Sequence, residues 1–193
     1  MLRNTIILAI IISSFTVRGQ ILPLISEDEY YKVYEDYYYT ESGLFIFEKP
    51  NKVDVNWGKD IWKFINEDTL FTPADRAFMS TQHADSSFLW KKSVVGNEVI
   101  KSDDIRYLAL KALIDTMFAL PVDERFPYMK ENDDKFIYVF TSLSRPLFTL
   151  NKKYCVVVLN EYNSPLGAKY DALVLEFKDG EWKEVKYYYR LRA

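Results

Sequence analysis

The one histidine of the 193-residue chain, His83, is close to side chains that could support nucleophilic catalysis. Asp85, Ser86 and Ser87 follow it within four positions. A general base at His83, oriented by Asp85 and acting on a serine hydroxyl, would give the chemistry of an esterase or peptidase. Nucleophile, base and orienting acid are seldom this close in sequence, because folding brings them together from distant segments. The pattern therefore favours a polar helix end where these side chains satisfy backbone groups.

Paired carboxylates are the second candidate chemistry, because glycosidases place two of them about 5–10 Å apart around the scissile bond. Four adjacent pairs are candidates, Glu67–Asp68, Asp103–Asp104, Asp123–Glu124 and Asp133–Asp134. Each lies near a predicted element end or loop, and carboxylates at a helix start stabilise the helix dipole without catalysis. No catalytic residue is assigned. An envelope hydrolase that uses such a pair, or the His83 region, is the alternative function.

Aromatic side chains are the strongest candidates for a binding surface. The chain holds 4 tryptophans and 15 tyrosines, and several tyrosines lie in an acidic stretch from Glu27 to Thr40. Exposed tyrosine and tryptophan make good contacts with protein partners, and they also stack on sugar rings. The alternating acids predict a partly solvated face, although aromatics that fill a core are the competing interpretation. The candidate binding residues are Tyr30, Tyr34, Tyr37, Tyr38, Trp57 and Trp62.

Other chemistries lack the residues they need. No histidine pair or cysteine pair has the spacing of a zinc site, and the six glycines do not cluster into a phosphate-binding loop. We therefore expect no metal and no cofactor. A formal net charge of −3 gives no electrostatic basis for binding nucleic acid. An envelope protein or a glycan remains as the expected partner, and the oligomeric state stays open.

The first nineteen residues predict the destination of the protein. Arg3 precedes an apolar run from Thr5 to Ile12, and small residues follow up to Gly19. This is the layout of a secretory signal peptide, and the run is shorter than the ~20 residues that span a bilayer. Cleavage near Gly19 and Gln20 would release a secreted or periplasmic chain with no transmembrane segment. Residues 20–193 have the length of one domain.

Two helices carry clear start signals. Thr72 can cap a helix that has Pro73 at its first position and Asp75 in its first turn, running to about His83 or Ala84. A second helix is predicted from Ser102 to about Phe118. Its apolar residues recur at helical spacing and predict an amphipathic helix: Ile105, Leu108, Ala109, Ala112, Leu113 and Met117. The tyrosine spacing in the acidic stretch also fits a helical face.

The last third of the chain is rich in strand-forming residues. Strands are predicted there at Phe136–Phe140, Tyr154–Asn160, Tyr170–Phe177 and Glu181–Tyr187, and one earlier strand is predicted at Gly43–Phe47. Asp179–Gly180 is a strong hairpin signal, because both residues tolerate positive φ. Cys155 lies in an apolar stretch that predicts a buried strand. Because it is the single cysteine, the chain can form no internal disulfide. The expected class is α+β, with N-terminal helices packed on a C-terminal antiparallel meander of about four or more strands.

Two stretches together resemble a known group of proteins. They are Leu70–Gln82 with Phe88–Trp90, and Ser144–Val157 continuing through Ala172–Phe177 into Lys178–Trp182. They resemble uncharacterised, signal-peptide-bearing proteins of Bacteroidetes-type bacteria, which implies an envelope address and no assigned catalytic residue. Members of that group often carry paired cysteines in the loop after the second strand, whereas residues 161–167 contain none. The expected function is a non-catalytic binding or interaction module of the cell envelope.

Overall fold

A computed structural model describes residues 22–37, 44–50, 55–56, 59–91, 96–132, 135, 139–162 and 168–192. The helices are α1 (Glu27–Tyr37), α2 (Ile61–Glu67), α3 (Pro73–Ala84), α4 (Ile105–Ala119) and α5 (Val122–Glu131). The strands are β1 (Leu44–Phe47), β2 (Val55–Asn56), β3 (Lys59–Asp60), β4 (Glu98–Ile100), β5 (Val139–Leu143), β6 (Leu147–Phe148), β7 (Tyr154–Tyr162), β8 (Ala168–Lys178) and β9 (Glu181–Arg192). The predicted signal peptide, Tyr38, Trp57 and the pair Asp133–Asp134 lie outside the described residues.

Seven strands form one mixed sheet in the order β4-β1-β5-β7-β8-β9, with β6 paired to β7. Strand β7 pairs antiparallel with β5 and β8, and β9 pairs antiparallel with β8, which confirms the predicted C-terminal meander. The β8–β9 hairpin turns at Asp179 (φ 57°) and Gly180 (φ 87°), as the residue types predicted. Strand β1 was predicted, but it joins the meander by parallel pairing with both β4 and β5. The class is therefore α+β.

Helices cover both faces of the sheet centre. On β7, Cys155, Val157 and Leu159 pack in the cluster that includes α1, whereas Val156 and Val158 pack against α2 and α3. Successive strand residues point to opposite faces, so a strand covered on both sides needs an uninterrupted apolar run. The predicted burial of Cys155 is confirmed, and burial raises the pKa of its thiol.

Helix α3 begins as its sequence predicted. The Thr72 hydroxyl oxygen accepts a hydrogen bond from the Asp75 amide (3.1 Å), and an Asp75 carboxylate oxygen accepts from the Thr72 amide (3.0 Å). This reciprocal pair is a capping box that satisfies two amides which a bare helix end leaves unpaired. Phe78, Met79 and Gln82 are buried, as expected.

We expect Thr72→Ala to lower the free energy of unfolding by about 1 kcal/mol, because the Asp75 amide would lose its acceptor. Urea unfolding followed by circular dichroism measures this change. Thr72→Ser keeps the hydroxyl and should restore most of the loss. Equal losses in the two variants would show that the hydroxyl does not cap the helix.

Polar side chains of α3 also complete the hydrogen bonding of the segment around β6. The Gln82 amide nitrogen donates to the Phe148 carbonyl (2.8 Å), and its oxygen accepts from the Phe148 amide (3.0 Å). Asp75 accepts from the Leu150 amide (2.9 Å). Because Asp75 and Gln82 are seven residues apart, they lie on the same helix face. Helix α3 therefore occupies the place that a further strand would take beside β6.

A buried carboxylate fixes the end of α2 to strand β9. Asp68 accepts hydrogen bonds from Lys186 Nζ (2.9 Å), the Tyr188 hydroxyl (2.8 Å) and the Leu70 amide (3.0 Å). Burial raises the pKa of Asp68, but the hydrogen bonds, led by that of Lys186, outweigh burial and hold the pKa below its ordinary value. The ionised carboxylate therefore favours the folded state.

Replacing Asp68 by asparagine should destabilise the protein by about 1–3 kcal/mol near neutral pH, because charge-assisted hydrogen bonds are lost. A carboxyl whose pKa falls on folding stabilises above its unfolded pKa of about 3.9, and this contribution disappears as the pH falls through the folded value. The gap between wild type and Asp68→Asn should therefore narrow below about pH 4. Urea unfolding at several pH values checks this, and a gap that widens on acidification would contradict it.

Helix α4 has nearly its predicted bounds, but most of the apolar residues expected to pack on the sheet are not buried. The structure buries Leu110 and Met117, and it packs Tyr107 and Ile114 beside Phe140 of β5. Five of the six predicted apolar positions are not buried: Ile105, Leu108, Ala109, Ala112 and Leu113. The helix is apolar on nearly all sides, so its periodicity alone does not identify the packed face.

Helix α5 and the short strands β2, β3, β4 and β6 were not predicted. Pro127 lies inside α5, and an internal proline argues against a helix in sequence analysis. Two-residue and three-residue strands carry too few residues for an alternating pattern. Within the described ranges, the helices are all too short or too polar to cross a membrane.

Candidate functional site

Three of the four tyrosines of α1 are core residues, not the solvated face that the acids predict. Tyr30, Tyr31 and Tyr34 are buried, and the rings of Tyr31 and Tyr34 meet Trp90 edge to face at 5.2 and 5.4 Å. The Tyr34 hydroxyl donates to the Ser144 carbonyl (2.6 Å). For Tyr30 and Tyr34, the expectation of exposure is wrong, because Glu27, Asp28 and Glu35 face solvent while these tyrosines face the sheet.

Two further aromatic candidates are only partly buried. The Tyr37 hydroxyl donates to Glu184 on β9 (2.7 Å), and burial, followed by the bond to Glu184, raises the pKa of Tyr37. The Trp62 ring lies edge to face against the His83 imidazole at 5.3 Å. These contacts spread the predicted aromatic residues over different parts of the protein and do not bring them together as one surface.

The contacts and the exposure of the carboxylate pairs also differ from one pair to the next. Asp68 is buried among its hydrogen-bond donors, while its neighbour Glu67 is exposed. Asp104 is the N-cap of α4 and accepts from the Arg106 amide (2.9 Å), which confirms the helix-start role expected for it. Asp123 and Glu124 lie exposed in the first turn of α5. These three pairs therefore have structural roles or face solvent.

The His83 region does form a concave site. A cavity of about 390 Å³ opens between the end of α3, the loop that follows it, and the segments carrying Lys49 and Arg145. We call it the His83 cleft, and its walls include Lys49, His83, Asp85, Phe88, Leu89 and Arg145. A volume in this range is typical of small-ligand sites. The sequence pattern indicates His83 and Asp85 as candidates, but no motif indicates Lys49 or Arg145.

In this cleft, both carboxylate oxygens of Asp85 accept hydrogen bonds from groups that are not catalytic bases. One carboxylate oxygen accepts from the Ser87 amide (3.0 Å) and hydroxyl (2.6 Å), and the other accepts from Arg145 (2.6 Å). The Ser87 hydrogen bonds, followed by that of Arg145, lower the pKa of Asp85 to about 2. These contacts support the expected local role of Asp85 and Ser87 at a polar helix end.

A second concave surface runs along α4. Its volume is about 580 Å³, and Ile105, Ala109, Ala112 and Thr116 form one of its sides. These residues recur at spacings of four, three and four, so they make a single stripe on the helix. Leu110, Leu113, Arg106 and Lys135 complete the lining. We call this surface the α4 groove.

Several large apolar side chains of α4 and α5 are left exposed by the described part of the chain. Ile105 is 77% exposed, and near the turn into α5 Val122 is 76% and Phe126 is 63% exposed. Large contiguous apolar patches on a protein surface usually mark binding sites. The sequence signal was a helix apolar on most sides, which exceeds what one packed face requires.

The positions of these helices are fixed at both ends. Arg106 donates to Glu98 through two nitrogens (3.0 and 2.8 Å) and to Asp104, and its guanidinium lies 4.2 Å from the Phe45 ring centre. Arg125 of α5 donates to the carbonyls of Phe118 and Leu120. The groove is therefore preformed, because its helix is held at the edge of the sheet.

Comparison of the chain with models of known protein families, with curated proteins and with solved structures gives no match.

Proposed function

We propose that this protein is a non-catalytic interaction module of the cell envelope, and that the α4 groove binds a helix of another protein. The observation that carries the proposal is a helix stripe from Ile105 to Thr116 that the described part of the chain leaves uncovered on a preformed surface. A helix rises 1.5 Å per residue, so this stripe is about 16 Å long and matches about three turns of a partner helix.

The charges around the groove indicate the chemistry of the partner. The charged side chains among its lining residues are both basic, Arg106 and Lys135. Arg106 is paired with Glu98 and Asp104, whereas Lys135 donates to the neutral side-chain oxygen of Asn132 (2.7 Å). In that contact, therefore, no carboxylate neutralises the positive charge of Lys135. A partner helix with an apolar face and an acidic residue beside it is complementary to this arrangement.

A protein partner suits this surface better than a lipid bilayer. Asp115, Asp123 and Glu124 are exposed on the same two helices. An anionic lipid surface would repel these carboxylates, and helices that lie in the membrane interface are usually rich in lysine and arginine instead. Secretion through the predicted signal peptide, and membership of the Bacteroidetes-type group, are parts of the same proposal.

The test is capture of proteins from the envelope fraction of the source cells with three baits. The baits are wild type, Ala109→Glu in the groove and Ala77→Glu on α3. Both alanines are exposed, and each is the fifth residue of its helix. One protein retained by wild type and Ala77→Glu, but lost from Ala109→Glu, would support the proposal. Equal recovery by all three baits, or retention on lipid vesicles without a protein, would overturn it.

The hydrolase alternative is supported only by the concave shape of the His83 cleft. It predicts that the purified protein hydrolyses an ester or a peptide bond and that His83→Ala abolishes this activity. The commitment of both Asp85 oxygens to Ser87 and Arg145 favours binding over catalysis in this cleft. Lack of turnover by the intact protein on such substrates would exclude the alternative.

A further inference from the structure

A second site, separate from the α4 groove, is formed by the His83 cleft. The guanidinium of Arg145 lies in its wall, held by Asp85 (2.6 Å), by the Gln82 carbonyl (3.3 Å) and by the Tyr30 hydroxyl (2.5 Å). The rings of Tyr30 and Phe88 lie 4.8 and 5.5 Å from the guanidinium carbon. With its side chain only 16% exposed, Arg145 gives the cleft a wall that does not have to be ordered when a ligand binds.

The charges in the cleft select the sign of a ligand. Asp85 remains ionised because its pKa is lowered to about 2. Its negative charge and the positive charge of Arg145 neutralise each other in an ion pair. Lys49 then contributes a further positive charge, and the His83 imidazole lines the same cavity. The electrostatic environment therefore favours an anion.

The remaining walls of the cleft are apolar. Pro50, Leu89, Leu147 and the Phe88 ring line the cavity together with the polar groups. Small-ligand sites typically combine apolar walls with a few polar groups that fix the orientation of the ligand. An aromatic ring or a short alkyl chain fits this lining better than a bare inorganic anion does.

We propose that the His83 cleft binds a small organic carboxylate with an aromatic or alkyl body. The carboxylate lies toward Lys49 and His83, and the apolar body lies between Phe88 and Leu89. This site is independent of the proposed interaction through α4, so either proposal can fail alone.

The experiment uses the imidazole of His83 as a reporter, because the chain contains one histidine. Its NMR signals are followed during titration of the full-length protein with phenylacetate, and with phenylacetamide and phenethylamine as neutral and cationic matches. We expect saturable shifts with phenylacetate, and binding of the two other probes should be at least about fivefold weaker. An equal response to all three probes, a preference for the amine, or no response to phenylacetate would overturn the proposal.

A substitution of Lys49 tests the orientation of the ligand. Lys49→Gln should weaken phenylacetate binding about threefold to fivefold, while Lys49→Arg should retain it. Lys49 is exposed, so the fold should tolerate both changes. Lys178→Gln, on the exposed β8–β9 hairpin, is the matched control and should bind like wild type. Unchanged affinity in Lys49→Gln would contradict the assigned role of Lys49.

Discussion

The Ala109→Glu variant is expected to keep its fold and to lose its protein partner, with affinity at least about thirtyfold lower, or about 2 kcal/mol. Ala109 lies in the α4 groove and is exposed in the free protein, so the added carboxylate stays hydrated until the partner helix covers it. Burying an ionised carboxylate without a partner costs several kcal/mol. Titration calorimetry with the captured partner measures the loss.

The control for this prediction is Ala77→Glu, which makes the same change on an exposed position of α3. Both variants should unfold within about 0.5 kcal/mol of wild type, because exposed helix substitutions seldom change stability by more than that. If Ala77→Glu weakened binding as much as Ala109→Glu, the effect would come from added negative charge in general. If Ala109→Glu bound normally, the partner would not lie in the groove.

Replacing Gln82 by methionine should give the largest loss of stability among these variants, about 2–4 kcal/mol. Methionine keeps most of the side-chain volume but removes both hydrogen bonds to Phe148. The amide and the carbonyl of Phe148 then lose their acceptor and donor inside the protein, and each unpaired buried group costs about 1–3 kcal/mol. Urea unfolding followed by tryptophan fluorescence gives this value.

Gln82→Glu is the matched variant for this test, because it preserves shape and changes only the hydrogen-bonding atoms. Its ionised carboxylate can accept from the Phe148 amide but cannot donate to the Phe148 carbonyl, so this variant is also destabilised near neutral pH. Below about pH 4 the protonated acid can donate as the amide does, so its deficit relative to wild type should shrink. The deficit of Gln82→Met should not shrink. A loss below about 0.5 kcal/mol in Gln82→Met would show that Gln82 does not complete the sheet.

Signals within a few residues of sequence predicted the local elements well. The Thr72 cap, Pro73 at the first position of α3 and the Asp179–Gly180 turn act through neighbouring backbone groups, so the sequence contains all the partners involved. The apolar run around Cys155 likewise predicted a buried strand. These signals were sufficient for the meander and for the α+β class.

Contacts between distant segments could not be predicted in the same way. The partner of Gln82 is 66 residues away, and the parallel neighbours of β1 depend on how the chain crosses the sheet. On α4 the apolar residues surround most of the helix, so spacing alone could not show that Leu110 and Met117 face the sheet. The apolar spacing therefore predicts a core face where the structure has the exposed stripe of the groove.

The aromatic candidates show the opposite error. The acids of α1 suggested a solvated face, and the tyrosines were assigned to it. In an amphipathic helix, however, acids on one face allow the tyrosines on the other to pack around Trp90. The surface that we propose for partner binding is largely aliphatic, and its side chains come mainly from α4 instead of α1.

The most direct test of the proposed interaction is a scan of α4 with a photoreactive amino acid in the native envelope. The scanned positions are Ile105, Ala109, Ala112 and Thr116 in the groove, with Lys111 on the neighbouring flank and Ala77 on α3 as controls. The account predicts cross-links to one protein from the groove positions and none from Lys111 or Ala77. Cross-links of equal yield at all positions, or from the controls alone, would contradict it.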